Sequence, residues 1–259
     1  MPAYYYPMMI GVILLSYVIG SVNFAVIISR KANKDVRGSG SGNPGTMNML
    51  RTFGLKLGIL TLLLDVIKGA IPALIGWFML GKETCAFGAD KSGVFIAGLA
   101  VVLGHIFPVL YKMRGGKGVA CAIGVALVAD PIVALASFVV ALAFFLIVKI
   151  GSLASFIATG IPLIYDGVRY LTHGNVLCGV LSLAIFAIVL AAHRKNLVRL
   201  FTGKERRTDP FAKKPTDNAQ TAAPVEENVV TDVEEIPRES EKTDAPAEET
   251  AKSDEADND

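Results

Sequence analysis

Three short polar clusters interrupt an otherwise apolar chain, and each sets cations or amides among small residues. The first runs Gly38-Ser39-Gly40-Ser41-Gly42-Asn43-Pro44-Gly45-Thr46-Met47-Asn48 and continues to Arg51. Residues 40–45 read G-x-G-x-x-G, but they follow an apolar helix instead of a strand, so a dinucleotide fold is not indicated. Glycine does let several backbone N–H groups converge on one oxyanion, and Arg51 can add a bidentate contact to a phosphate. The second cluster is Gly104-His105-Ile106-Phe107-Pro108, then Arg114-Gly115-Gly116-Lys117-Gly118. Three glycines around one lysine suit close approach to an anion, with the ammonium as a point charge. It is not a phosphate loop of the nucleotide-binding kind, which needs Ser or Thr at 118. The third is His193-Arg194-Lys195-Asn196-Leu197-Val198-Arg199, then Gly203-Lys204-Glu205. Helical spacing puts His193 with Asn196, and Asn196 with Arg199, on one face. His193 is placed to orient or deprotonate a hydroxyl near neutral pH.

The elements that must position these clusters are membrane helices. The chain has 259 residues, 53% of them apolar. Its formal charge of +2 hides two unlike pieces: residues 1–203 hold 17 basic and 6 acidic side chains, and residues 204–259 hold 8 and 17. This pattern excludes an ordinary soluble enzyme, a collagen-like fibre and a small disulfide scaffold. It predicts an all-α polytopic membrane domain over 1–206 and a disordered acidic tail over 207–259. Cys85, Cys121 and Cys178 share no close spacing and read as buried small hydrophobes.

Apolar segments over 8–29, 57–80 and 94–110 are long enough to cross the hydrocarbon layer. Arg30, Lys31, Lys34 and Arg37 follow the first, which places the N-terminus outside. Lys112, Arg114 and Lys117 follow the third and are cytoplasmic by the same rule, while the loop 81–92 is charge-balanced and external. Residues 119–148 read either as one helix kinked at Pro131 or as two short helices turning at Asp130-Pro131. A short apolar run over 152–165 and a last crossing over 176–192 follow, with Arg194, Lys195 and Arg199 cytoplasmic. About seven crossings satisfy the charge pattern, and so do five; Lys149 is inside for seven and outside for five. Asp65 and Lys68 sit inside the second segment at i and i+3, where pairing lowers the cost of burying each charge. They are expected to form a structural pair.

The clusters lie at the predicted cytoplasmic surface, where an anion is handled beside a lipid phase. The same residues resemble a family: the bacterial acyl-phosphate-dependent glycerol-3-phosphate acyltransferases. The resemblance rests on residues 40–51, on Gly104-His105-x-Phe107-Pro108 through Gly115-Gly116-Lys117-Gly118, and on His193-Arg194-x-Asn196 through Arg199, Gly203 and Glu205. Thr46-Met47 stands where the family usually has Ala-Thr, and Cys121 where it usually has Thr. The resemblance implies a seven-helix fold in the bacterial plasma membrane with a cytoplasmic active site. It implies transfer of an acyl chain from acyl phosphate to the 1-hydroxyl of glycerol 3-phosphate, giving lysophosphatidic acid and phosphate, the first acylation of phospholipid synthesis. Ser41, Arg51 and Lys117 would hold phosphate, and Asn43 and Asn48 would be substrate- or phosphate-binding as well. Gly115, Gly116 and Gly118 would shape the glycerol-phosphate site, His193 and Asn196 would position the hydroxyl, and Glu205 would be structural. No cofactor, metal or nucleic acid is implied. A phosphate-handling transporter is the main alternative; its site is expected near the bilayer midplane instead. An anchored scaffold is the third. Acyltransferases carrying H-x-x-x-x-D are disfavoured, because Leu110, Cys178 and Val198 stand where the Asp would follow His105, His173 and His193. The acidic tail is expected to be dispensable, so truncation after about Arg207 should leave activity intact.

Overall fold

The computed structural model describes residues 3–80 and 91–211. Among these residues every regular element is helical. The α-helices are α1 Tyr5–Ser21, α2 Phe24–Lys31, α3 Thr46–Phe53, α4 Leu55–Leu80, α5 Ser92–Ile106, α6 Val119–Ala129, α7 Pro131–Val148, α8 Gly151–Thr172, α9 Val176–Ala192 and α10 Arg194–Phe201. The external loop expected over 81–92, with Cys85, lies almost wholly outside the described residues, as does the acidic segment from 212 onward.

α5 is the centre of the bundle. Its Phe95, Val101 and Val102 join Cys121 and Val125 of α6, Leu163 of α8 and Ile185 and Val189 of α9 in one buried cluster. Helices in lipid gain little from burying apolar faces against each other, so they need close backbone approach instead. Gly76 of α4 and Gly93 of α5 meet in this way: a Cβ built on either would lie 2.1 Å from the other's carbonyl oxygen. α7 is the opposite case. Ile132 and Ile147 are about 80% exposed, a lipid-facing pattern on a chain read as membrane-embedded.

The first apolar segment is not one helix. It breaks at Val22-Asn23, where Asn23 caps α2 by accepting from Val26 N at 3.0 Å and donates to Pro44 O at 3.3 Å. The break frees the Val22 carbonyl, and Lys68 Nζ donates to it at 2.6 Å. An interrupted helix in the membrane is tolerated when its loose backbone groups find such partners. Residues 119–148 form two helices. Asp130 adopts an extended conformation between α6 and α7 and caps α7 at Val133 N, with Pro131 in the first helical turn. The run read as 152–165 is part of a helix that extends to Thr172, where Arg169 reaches Asp130 at 3.4 Å.

Among the described residues five segments are long and apolar enough to cross a membrane, with α1 and α2 counted as one, and six if α9 continues through a 64° bend into α10. The 11 residues of α6 make a further short apolar helix. Such a helix measures roughly 16 Å against a layer of about 30 Å. Lys149 ends α7 in a left-handed conformation, φ 62°. Its carbonyl accepts from Thr208 N at 2.7 Å, which puts it at the same end of the bundle as α10.

Candidate active site

Residues 35–45 close a loop against α3. The Arg37 guanidinium meets the Asp35 carboxylate at 2.7 Å and Arg30 adds a contact at 3.3 Å. With these hydrogen bonds, Asp35 is held well below the usual carboxylate range. Asn48, on the first turn of α3, is buried and fully engaged. Its Oδ1 accepts from Ser41 N at 2.9 Å, and its Nδ2 donates to Ser39 O at 2.9 Å and Val36 O at 3.1 Å. Asn48 therefore shapes the loop and leaves the Ser41 side chain exposed and the Asn43 side chain half-buried at its edge. One turn on, Arg51 donates through Nε to Thr208 Oγ1. Burial, with Arg206 nearby, lowers the affinity of the Arg51 guanidinium for its proton.

The glycine loop is built by the end of α5. The last carbonyls of a helix have no partner within it. Gly116 N donates to His105 O and Gly115 N to Ile106 O, both at 3.1 Å. A Cβ at Gly115 would lie 2.0 Å from His105 O, and one at Gly116 would lie 2.1 Å from His105 Nε2. These two glycines thus shape the site by packing under it. Their N–H groups are committed to α5. Gly118 begins α6 at φ 81°, a left-handed value that a side chain resists. The loop leaves Lys117 projecting, half-buried, toward the third cluster.

His193 stands at the junction of α9 and α10 and is 2% exposed. Its Nδ1 lies 2.8 Å from Val189 O, an oxygen that can only accept, so the proton is on Nδ1 and Nε2 is an acceptor. Phe156 packs edge-on against the ring at 5.0 Å. Burial, and then Lys117, push the imidazole down to about 4, so it is neutral at physiological pH. Asn196 bridges two charges. Its Oδ1 accepts from Lys117 Nζ, and its Nδ2 donates to Glu205 Oε1 at 2.6 Å. Glu205 also accepts from Ser152 Oγ and Arg199 Nε, each at 3.0 Å. Burial opposes its ionisation, but these three donors hold it below the usual glutamate value. Burial brings Lys117 down to about 8, with Glu205 resisting and Arg199 and Arg51 adding to the fall.

Beneath the site lies the buried pair read from the sequence. Lys68 Nζ is 3.0 Å from Asp65 Oδ1 and 3.0 Å from His105 Nδ1, besides its bond to Val22 O. Asp65, His105 and Cys121 bring metal-ligating atoms within 4.8 Å of one another. The Lys68 ammonium, 3.0 Å from ligand atoms of two of the three, stands where an ion would bind, so this donor set does not fit a metal.

A cavity of about 1590 Å³ joins the three clusters. Ser41, Asn43, Asn48, Arg51, Gly115, Gly116, Lys117, Gly118, His193, Asn196 and Glu205 all line it, and Asp65 reaches its floor, while Lys68 does not line it. The other wall is apolar: Leu55, Ile59 and Leu62 of α4 face Phe138, Leu142 and Phe145 of α7. Ile59 and Leu142 are each 46% exposed. The sequence reading passed over this wall, as well as Ser152 and Thr208. The wall is hidden in α7, which is apolar on every side and shows no stripe. The two hydroxyls sit at the edges of segments whose ends carry no pattern.

Residues 10–203 match the family model described as glycerol-3-phosphate acyltransferase. The glycerol-3-phosphate acyltransferase of Aquifex aeolicus is 40% identical over 197 residues, covering 75% of this chain and 96% of that protein. That of Myxococcus xanthus is 43% identical over 199 residues, covering 76% and 98%. The crystal structure of PlsY (YgiH), an integral membrane glycerol 3-phosphate acyltransferase, is similar in its glycerol 3-phosphate form. The TM-score is 0.67 at 38% identity, over 77% of this chain and 95% of that one. Its lysophosphatidic acid form superposes with a TM-score of 0.65 at 37% identity.

Proposed function

The chain belongs to the glycerol-3-phosphate acyltransferase family, and from that premise we propose how this integral membrane enzyme acylates glycerol 3-phosphate. The donor is acyl phosphate and the acceptor is the 1-hydroxyl. The observation that carries this reading is one cavity lined both by cationic and amide side chains and by apolar residues of α4 and α7. A dianion and an acyl chain each meet their own kind of surface there. Basic residues at the cavity end, among them Arg114, Lys117, Arg194 and Arg199, support an orientation with this end in the cytoplasm and the protein in the plasma membrane.

In this reading Ser41, Arg51 and Lys117 hold phosphate, with Asn43 beside them and Asn48 keeping their loop in shape. Acyl phosphate is a mixed anhydride and already activated, so no acyl-enzyme is needed. The glycerol hydroxyl oxygen attacks the acyl carbonyl carbon, the carbon–oxygen bond to phosphate breaks, and phosphate leaves with the electron pair. Positioning and charge stabilisation supply the acceleration. His193 Nε2 accepts a hydrogen bond from the hydroxyl and aims it. An imidazole held near 4 is a weak base, so a phosphate oxygen is the better final proton acceptor.

The purified enzyme should release phosphate from acyl phosphate only when glycerol 3-phosphate is present. Acyl-carrier-protein and coenzyme A thioesters should not replace the donor; turnover with either at a comparable rate would reassign it. His193→Ala should lower kcat by about 100-fold through lost aim. Turnover above a tenth of normal would remove His193 from the machinery.

A pH dependence follows from Lys117. Its ammonium is present below about 8 and is lost as the pH rises through that value. The KM of the phosphate substrate it holds should therefore climb between pH 7 and 9.5, with the bound dianion moving the rise upward. Lys117→Arg keeps its charge throughout this range and should flatten the profile. A wild-type KM that stays level to pH 9.5 would show that Lys117 does not hold the anion.

A further inference from the structure

The match to the family stops at residue 203, yet the ordered contacts do not. After Glu205 the chain crosses back over the cavity end. Thr208 and Pro210 are both buried. Thr208 N donates to Lys149 O at 2.7 Å, Asp209 pairs with Lys149 Nζ, and Asp209 Oδ1 accepts from Phe211 N at 3.0 Å. The left-handed turn at Lys149 presents the carbonyl that takes the Thr208 amide. Arg206, Pro210 and Phe211 line the cavity, whereas Thr208 does not; its side chain is turned to Arg51.

We propose that Thr208 is a positioning residue for Arg51, and that residues 207–211 are a strap that fixes this arginine's phosphate-binding edge. A guanidinium binds an oxyanion through two adjacent N–H groups, and several pairs of them compete. Thr208 Oγ1 takes Nε and so leaves the pair of terminal nitrogens as the edge free to meet a phosphate. Arg199 and Arg206 repel Arg51, which gives the side chain a reason to swing away unless it is held. Lys149 ends α7, so the strap also ties the apolar wall to the phosphate-binding side. The boundary between catalytic unit and tail, set at 206 by the sequence, moves to at least 211 in this proposal.

The inference rests on the reading that Arg51 holds phosphate, and the test separates the two. KM and kcat for glycerol 3-phosphate and for acyl phosphate are measured in the full-length enzyme with Thr208→Val, Thr208→Ser, Arg51→Ala and the double variant Arg51→Ala/Thr208→Val. Valine keeps the shape and removes the acceptor. It should raise one of the two KM values by about tenfold, as expected for losing a hydrogen bond to a charged group. Serine should recover most of the loss, and valine should add less than about twofold once Arg51 is gone. KM values within twofold of wild type in Thr208→Val overturn the proposal. Equal impairment by serine and valine also overturns it, because packing of the strap would then explain the loss. So does a full additional loss in the double variant. If Arg51→Ala alone leaves both KM values unchanged, the premise about Arg51 fails first and takes the proposal with it.

Discussion

Lys117→Met should lower kcat/KM by about 100- to 1000-fold while leaving the protein folded. The methionine keeps the length and the apolar stem and removes only the ammonium. In the folded enzyme that ammonium is half-buried and bonded to Asn196 Oδ1, which is itself fixed by Glu205. Glu205 is fixed in turn by Ser152 and Arg199. The charge is therefore aimed before substrate arrives and does not reorganise during reaction. Removing one such preorganised donor from an enzyme site costs about two to three orders of magnitude. In the proposed reaction charge develops on the departing phosphate, so kcat should fall more than KM rises. A loss under threefold, with the melting temperature unchanged, would mean that Lys117 serves only to orient the loop at the membrane surface.

Gly115→Ala should be nearly as damaging, for a steric reason. The added carbon would stand 2.0 Å from His105 O and 2.6 Å from the Pro108 ring. Neither can yield cheaply: the first is helix backbone and the second is a rigid ring. The loop must lift, losing the bonds from Gly115 N and Gly116 N that tie it to α5. Lys117 rides on that loop two residues away. A displacement of about 1 Å at a reacting group can cost about 100-fold. Gly38→Ala is the control, because a Cβ there meets nothing within 4 Å. Comparable kcat/KM for the two variants would show that the glycine loop is not a positioning element.

Much of this was legible in the chain because the chemistry and the membrane both write strong local signals. Apolar runs of membrane length announce helices, since no other open structure satisfies its backbone in lipid. Gly, Ser, Asn, Lys and Arg gathered at their ends announce anion handling. Asp65 and Lys68 were readable as a pair from helix spacing alone. Other features were not readable, because they depend on partners distant in sequence. The break at Val22-Asn23 depends on Lys68, 46 residues on, which supplies the donor for the freed carbonyl. Asn48 looked like an anion ligand by type, yet three loop backbone groups engage its amide. Gly115 and Gly116 were readable as small residues beside Lys117, but not that the end of α5 takes their amides.

The sequence by itself determined the class of protein, the three clusters and the family they resemble, because hydropathy and short-range spacing are properties of neighbouring residues. Only the tertiary structure decided which polar groups remain available for substrate. A hydrogen-bonding side chain is free or committed according to what packs against it. Asn196 joins Lys117, 79 residues away, to Glu205, and Thr208 reaches Arg51 across 157 residues. The apolar wall of α7 became a wall only when α4 stood opposite it. No spacing rule spans such distances; they are closed by the helices packing around α5, where glycines let backbones touch.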